Sequence, residues 1–256
     1  MKGIDVSKHN GDITWNDVKN DGIEFAIIRG GYGQGIYDQK AEYNLKECNR
    51  VGIPCGLYWF SYAYNETMAR REAEYALSLA RKHKIELPIY WDFEYDSETY
   101  AKAQKNPVSK DTVIKMLFAF CETIEKNGYY AGNYTNRDFE SRYFKDQNKR
   151  FDTWLALWTS DNLPSTVPNG YGIHQYWSKG SVNGISTNVD VDVTYIDYPK
   201  RIRSYGRNNL AKEKTEIELA VEWAKKNGIS DSADMEKSIT IEQLLLILYR
   251  LFKAKE

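Results

Sequence analysis

The sequence contains little cysteine, no long apolar run and no excess of charge of either sign. Its three cysteines, Cys48, Cys55 and Cys121, are too few for a disulfide framework and show no repeated metal-ligand spacing. We expect all three to be buried as small apolar side chains. Because no apolar run approaches the ~20 residues that a membrane-spanning helix needs, we expect no membrane partner.

The balance of charge limits the kinds of partner further. Lysine and arginine total 35, aspartate and glutamate total 36, and the formal net charge is −1. Since nucleic-acid binding usually requires a basic surface, we expect no nucleic-acid partner. Tyrosine is abundant, with 20 residues. Aromatic rings pack cores, but a tyrosine also offers an apolar face with a polar tip, which suits carbohydrate surfaces.

Strand-like and helix-like segments alternate along most of the chain. Asn65 and Ser109 are placed to cap helices over about 69–82 and 110–126. This alternation predicts parallel strands with crossover helices, and about eight strands predict an α/β fold with an irregular TIM-like barrel that becomes less regular towards its end. The strand candidates are Gly3–Val6, Phe25–Arg29, Cys55–Tyr62, Leu87–Phe93, Tyr129–Tyr134, Trp154–Trp158, Ile173–Trp177 and Asn188–Val193.

The character of the sequence changes after Asp197. Residues 198–214 are polar, rich in lysine and arginine, and contain Pro199 and Gly206, which is typical of a linker. Two short amphipathic helices are predicted after it, the second with a capping box formed by Thr240 and Gln243. We therefore predict a barrel over residues 1–197, a linker over 198–214 and a small helical domain over 215–256.

Acidic residues occur at the ends of several predicted strands. Asp92 and Glu94 end the apolar segment that begins at Leu87, and residues two apart on a strand point to one face. Asp5 ends the first strand, and Asp190 lies in the last. A closed barrel places its first and last strands side by side, and active sites lie at the mouth where parallel strands end. The four carboxylates are therefore predicted to meet there.

A cluster of carboxylates can serve two kinds of chemistry. Like charges at short range raise the pKa of at least one member, as a general acid working near neutral pH requires. Hydrolysis of a glycosidic bond needs such an acid and negative charge near an oxocarbenium-like centre. Metal binding, including that of a metal-dependent phosphodiesterase, is the competing use. The three histidines do not pair with acids at ligand spacing, so we expect no metal site.

In these segments the chain resembles the family 25 glycoside hydrolases, the Chalaropsis-type lysozymes of phages, bacteria and fungi. The matching segments occur in the family's order over about the first 195 residues, and together they are specific. They are Gly3-Ile-Asp-Val-Ser-Lys-His-Asn-Gly11, Phe25-Ala-Ile-Ile-Arg-Gly-Gly31, Gly52-Ile-Pro-Cys-Gly-Leu-Tyr58, Trp91-Asp-Phe-Glu94, and His174-Gln-Tyr176 through Gly184-Ile-Ser-Thr-Asn-Val-Asp190.

The resemblance implies cleavage of the β-1,4 bond between N-acetylmuramic acid and N-acetylglucosamine in peptidoglycan. By position, Glu94 would be the general acid, Asp92 would stabilise or orient the reacting group, and Asp5 and Asp190 would complete an acidic floor. Either the acetamido group of the substrate attacks, or a carboxylate activates water and the anomeric centre inverts; the sequence leaves this open. No cofactor is implied.

Aromatic residues near strand ends are candidates to stack on sugar rings, and Gln175 to hydrogen-bond a sugar hydroxyl or amide. The family often has tryptophan where this chain has His174, which we expect to be structural. Asp192 lies close to Asp190, and we choose Asp190 because it follows Asn188-Val. The aromatic candidates are Tyr32, Tyr58, Tyr62, Tyr134, Trp158 and Tyr176.

The tail resembles a single, shortened S-layer-homology unit, on the segments 220–229 and 239–250. Such units bind secondary cell-wall polymers, commonly in sets of three, so a single unit predicts wall binding, homo-oligomerisation through its helices, or a helical cap on the barrel. With no signal peptide visible, the chain is expected to act as a phage-type endolysin, made in the host cytoplasm and reaching the wall after release. The alternative is a non-catalytic wall-binding barrel.

Overall fold

The computed structural model describes residues 1–145, 150–158 and 170–210, together with residues 219, 223, 226 and 246. The chain divides into two compact units, Met1–Lys212 and Glu213–Glu256. The helical domain predicted over 215–256 lies outside the described residues except at those four positions. None of the helices in the described part combines the length and the apolar character required to cross a lipid bilayer.

A closed β-barrel forms the centre of the first unit. Eight strands close it, in the order β1-β9-β8-β7-β6-β5-β4-β2 with a final pairing of β2 to β1, and the two-residue β3 pairs with β2 outside the ring. All eight strands predicted from the sequence are present. The strands of the described residues are β1 (Lys2–Val6), β2 (Phe25–Tyr32), β3 (Ile36–Tyr37), β4 (Cys55–Phe60), β5 (Ile89–Asp92), β6 (Ala131–Asn136), β7 (Asp152–Ala156), β8 (Ile173–Gly180) and β9 (Val189–Thr194).

The last barrel strand runs against the others. The pairings from β1 through β2, β4, β5, β6 and β7 to β8 are parallel, whereas β9 is antiparallel to both β8 and β1. The sequence did not predict this direction. Its physical reason is the short connection over residues 181–188, because a parallel return needs a crossover of about a dozen residues or more. The start of β9 therefore lies at the same mouth as the ends of the parallel strands.

Helices cover the outside of the barrel, and their ends follow the predicted capping residues. The Asn65 side chain accepts a hydrogen bond from the amide of Met68 at 3.0 Å, and that of Ser109 from the amide of Thr112 at 3.1 Å. The helices are α1 (Trp15–Asn20), α2 (Ala41–Val51), α3 (Glu66–Ala80), α4 (Tyr95–Ala103), α5 (Lys110–Lys126), α6 (Arg137–Phe139), which continues as a π-helical turn over Glu140–Phe144, and α7 (Tyr198–Ser204).

Side chains fill the barrel below its mouth. A buried cluster inside includes Ile27, Tyr90, Trp154 and Ile173, so the barrel is a packed core rather than a pore. The close approach of one ring requires a glycine, because a Cβ at Gly132 would lie 2.4 Å from the ring of Tyr90. Cys48, Cys55 and Cys121 are buried and unpaired, as expected.

Residues 198–210, predicted as the first part of a linker, belong to the barrel unit. Tyr198 and Ile202 of α7 are fully buried and join the interior cluster. Asn208 is 3 % exposed, and its side-chain amide donates to the carbonyl oxygens of Ile85 and Leu87. Basic and polar residues on the outer side of α7 gave this segment the composition of a linker, while its buried side carries a few apolar residues at helical spacing.

Candidate active site

The four carboxylates singled out in the sequence line one cavity at the mouth of the barrel. The cavity has a volume of about 670 Å³ and contains Asp5, Asp92, Glu94 and Asp190 in its wall. Asp5 is the register partner of Asp190 across the β1–β9 pairing, and Asp92 ends β5 between Phe60 and Tyr134. Closure of the barrel therefore brings Asp5 on its first strand next to Asp190 on its last strand.

Asp92 and Glu94 form a carboxyl pair. Asp92 is 3 % exposed, and no donor in the described residues reaches its Oδ1 atom. The neighbouring group is the Glu94 carboxyl, which interacts with the Asp92 side chain through its charge and as a hydrogen-bond partner. Two ionised carboxylates are both acceptors, so this contact is favourable only when one of them carries a proton.

Burial and like charge keep that proton on the pair. The pKa of Asp92 is raised well above its ordinary value, mainly by burial and then by the charge of Glu94, while Arg29 acts in the opposite direction. Burial also raises the pKa of Glu94. Glu94 is half-buried whereas Asp92 is buried, so Glu94 is the member of the pair that can pass a proton to a bound molecule.

The backbone around Glu94 holds this residue in place. Glu94 is the N-cap of α4, and its amide donates to Ser97 Oγ at 3.0 Å. Asp92, two residues earlier, is still part of β5 and is held by the barrel ladder. The strand-to-helix junction thus fixes the relative position of the two carboxyl groups.

Asp5 lies opposite this pair and is held by Gln175. The Gln175 side-chain amide donates to Asp5 Oδ2 at 2.7 Å. The amide oxygen of Gln175 in turn accepts hydrogen bonds from the Tyr134 hydroxyl at 3.3 Å and the Trp158 indole at 3.2 Å. Burial raises the pKa of Asp5 well above its ordinary value, and the charges of Asp190 and Asp192 add to this.

Asp190 has a titration that links the site to the stability of the fold. Burial raises its pKa to about 6, whereas an aspartate in an unfolded chain has a pKa of about 3.9. The folded protein therefore binds this proton more tightly than the unfolded chain does. As the pH rises through the interval from about 4 to about 6, this difference makes folding less favourable.

Replacing Asp190 by asparagine is expected to stabilise the fold at neutral pH. Asp190→Asn removes a charge whose burial is unfavourable, so its urea unfolding midpoint should exceed that of the unaltered protein at neutral pH. The difference should shrink as the pH falls from about 6 to about 4, because the aspartate becomes neutral there. A lower midpoint at neutral pH, or a difference that does not change with pH, would contradict this account.

The candidate sugar-binding residues divide into three groups. Tyr58, Tyr134, Trp158 and Gln175 line the acidic cavity. Tyr32 and Tyr62 line a neighbouring cavity of about 330 Å³ that shares His9, Arg29 and Phe60 with the first. Tyr176 is not among the residues that line either cavity. It lies at an irregularity in the pairing of β8 with β9, between Gln175 and Trp177, where the strand has one extra residue.

His174 has a structural environment, as expected. It is fully buried, and its Nε2 atom lies 2.6 Å from the carbonyl oxygen of Leu157. In the described ranges, no group of three or more histidine, cysteine, aspartate and glutamate side chains has an arrangement that could hold a metal ion.

Arg29 is a feature of the site that sequence reasoning missed. It lines both cavities, and its Nε and a terminal nitrogen each lie 2.7 Å from Asp38 Oδ2. The Asp38 carboxyl also accepts hydrogen bonds from the amides of Lys8 and Lys40. The position of Arg29 at the end of the predicted second strand was a signal for it. Its partner could not be predicted, because Asp38 lies beyond a turn.

A closed barrel whose mouth carries a proton-holding carboxyl pair opposite further carboxylates has the parts of a glycoside hydrolase. The family model described as Glycosyl hydrolases family 25 matches residues 4–185. The chain belongs to this family.

Relatives with names and solved structures agree with this classification. Lysozyme M1 of Streptomyces globisporus is 26 % identical over 214 residues, which cover 74 % of this chain and 66 % of that protein. The modular autolysin LytC from Streptococcus pneumoniae has 33 % identity and a TM-score of 0.65, over 76 % of this chain and 46 % of that one. The catalytic domain of endolysin ply40 from bacteriophage P40 of Listeria monocytogenes has 25 % identity and a TM-score of 0.65, over 79 % and 96 %. The chain thus spans just under two thirds of Lysozyme M1 and under half of LytC.

Proposed function

We propose that this protein is a muramidase that hydrolyses the β-1,4 bond between N-acetylmuramic acid and N-acetylglucosamine in bacterial peptidoglycan. The observation that carries the proposal is the buried carboxyl pair of Asp92 and Glu94 at the mouth of the barrel. The names of its relatives support it, and LytC was also solved in complex with a synthetic peptidoglycan ligand. As a muramidase related to these lysozymes and autolysins, the protein would act on the bacterial cell wall.

In this proposal Glu94 donates its proton to the glycosidic oxygen as the bond breaks. Asp92, beneath it, keeps the proton on the pair until the substrate is bound. Asp5 and Asp190 provide negative charge on the side of the cleft opposite the pair, where it stabilises an oxocarbenium-like centre. Tyr58, Tyr134 and the exposed Trp158 offer rings and polar groups to the sugars at the mouth.

Two routes complete the reaction, and both begin with the same proton transfer. In one, the substrate's acetamido oxygen attacks the anomeric carbon with Asp92 orienting it, and water then opens the intermediate with net retention. In the other, a carboxylate such as Asp190 removes a proton from water, which attacks with inversion. Proton NMR of freshly released fragments distinguishes the routes by the anomer that forms first.

Incubation with purified Gram-positive cell walls tests the proposed function. Turbidity should fall and reducing groups should appear. Borohydride should reduce the newly exposed sugar to its alcohol, and acid hydrolysis should then release reduced muramic acid rather than reduced glucosamine. Treatment with EDTA should leave the rate unchanged. Reduced glucosamine would instead indicate a glucosaminidase, and wall binding without any reducing groups would indicate a non-catalytic wall-binding barrel.

We also propose that residues 215–256 form a small helical unit that binds a secondary cell-wall polymer or brings copies of the chain together. The support is the S-layer-homology resemblance of the tail and the separate unit Glu213–Glu256. Polymer binding and self-association are the two proposed roles of this unit, and the same truncation tests both.

Ending the chain at Lys212 is expected to weaken binding to whole walls while preserving hydrolysis of soluble glycan fragments. The cut must follow Asn208, because its buried side chain is bonded to the barrel. Sedimentation with walls and light scattering, each compared with the full chain, report wall affinity and association. Unchanged values in both would contradict the proposed roles of the tail, and an unfolded product would indicate that the tail is a cap required by the barrel.

A further inference from the structure

Asp192 is a fifth carboxyl group at this end of the barrel, and it has no role in the proposed reaction. It lies on β9, where its register partners are Gly3 of β1 and Gln175 of β8. Its side chain is fully buried and does not line the cavity. An isolated buried carboxylate is strongly unfavourable, so the contacts of Asp192 need an explanation.

Among the described residues, only one of its two oxygen atoms has an ordinary donor. The Trp154 indole N–H donates to Asp192 Oδ1 at 2.8 Å. The Oδ2 atom is buried, and no donor in the described residues reaches it. Asp5 pairs in register with Asp190, two residues before Asp192 on β9, so Asp5 and Asp192 are diagonal neighbours on one face of the β1–β9 pair, and the Asp5 carboxyl is the neighbouring group toward which Oδ2 can turn. As in the pair of Asp92 and Glu94, two acceptors can make this contact only if a proton lies between them.

The surroundings of Asp5 and Asp192 favour keeping that proton. Burial raises the pKa of both well above the ordinary value, and the charged groups acting on them, Asp190 on β9 and Asp92 on β5, are also carboxylates. The other titratable groups that face them are tyrosines, namely Tyr58 on β4, Tyr134 on β6 and Tyr176 on β8. Two full negative charges here would thus face further negative charge.

We propose that Asp192 is a positioning residue of this site, which shares one proton with Asp5 and thereby fixes the Asp5 carboxyl beneath the cleft. Gln175 already donates to Asp5 Oδ2, so the shared proton joins the other Asp5 oxygen to Asp192 Oδ2. The Asp5 carboxyl is then held from two sides, by Gln175 and by Asp192. Asp5 and Asp192 together carry one negative charge rather than two. The pair of Asp92 with Glu94 and the pair of Asp5 with Asp192 would thus each retain a proton.

The variant Asp192→Asn tests this sharing. The amide keeps an oxygen acceptor for Trp154 and places an N–H donor toward Asp5, but it has no proton to share. Asp5 should then lose its own proton at lower pH, because a neighbouring negative charge has been replaced by a donor. Carboxyl carbon NMR of Asp5 should show a titration midpoint lowered by on the order of one pH unit or more.

The pH dependence of kcat/KM gives a second readout, which rests on the proposed muramidase function. The acid limb of the profile, which in this proposal includes the loss of the proton from Asp5, should move to lower pH in Asp192→Asn. The alkaline limb reports the proton on Glu94 and should stay, since Asp192 is not among the groups that shift the pKa of Glu94. Asp197→Asn is the matched control. Asp197 caps α7, a role that asparagine also fills, and this variant should change neither readout.

The proposal is overturned if the Asp5 midpoint in Asp192→Asn is unchanged or raised, or if the pH profile of kcat/KM does not move. If the variant fails to fold, the unaltered protein still decides. Carboxyls that share a proton titrate as a pair, so the Asp5 and Asp192 carbons should both report the same two steps, and independent single-step curves would overturn the idea. Since the NMR measurements need no substrate, failure of the muramidase function is distinguished from failure of proton sharing.

Discussion

Glu94→Gln is expected to lower the rate of peptidoglycan hydrolysis by about 10²–10⁴-fold, the usual contribution of a general acid. The amide cannot supply a proton to the leaving oxygen, and it also removes the partner with which Asp92 shares one. Because glutamine has nearly the same size and shape, we expect the protein to fold and still bind the wall. The measurement is kcat/KM from reducing-group release, together with wall sedimentation.

Glu66→Gln is the matched control for this prediction. Glu66 lies in the first turn of α3 and pairs on the surface with Arg70 at 3.0 Å, an exposed interaction of the kind that contributes only ~0–1 kcal/mol. Its hydrolysis rate should equal that of the unaltered protein. If Glu94→Gln retained the full rate while Glu66→Gln behaved normally, the role assigned to Glu94 would be wrong.

Asp38→Ala is expected to lower the free energy of unfolding by about 3–5 kcal/mol, the usual cost of removing one partner from a buried ion pair. Asp38 is 4 % exposed, and its carboxyl binds the Arg29 guanidinium and the amides of Lys8 and Lys40. Alanine would leave the Arg29 charge largely buried without its partner and would release the turn that follows β1. The urea midpoint and the slope of the transition measure the loss.

Asp12→Ala is a matched control for the stability prediction. Asp12 forms an ion pair with Lys40, and its side chain is 88 % exposed, so we expect a change within ~0–1 kcal/mol. The comparison distinguishes the effect on stability of a buried ion pair from that of an exposed ion pair in the same protein. Equal losses in the two variants would contradict the view that Asp38 is important because its partners are buried.

Much of the fold could be predicted because its signals are local. The capping positions of Asn65 and Ser109 depend on residues three places away. The apolar stripe of α5, which includes Val113, Met116 and Phe120, repeats at helical spacing and is buried as a unit. Patterns of this kind are determined within a single element and need no knowledge of its neighbours.

The remaining features depend on which elements meet. Sequence spacing predicts that β9 is a strand, but its direction follows from the geometry of the connection before it. The ion pair of Arg29 with Asp38 and the contact of Asp192 with Trp154 join residues that no periodicity links. Tyr176 illustrates the same limit, because a residue can lie next to a site residue along the chain and still not line the cavity.

Closure of the barrel by its first and last strands has a consequence for biosynthesis. Asp5 is synthesised before its partner Asp190, which leaves the ribosome only after the intervening strands and helices have been made. Contacts between such distant positions form late in folding, and β1 must keep an unpaired edge until they do. A chain that ends before β9 should therefore lack the complete cleft, which then forms in a single late step of synthesis.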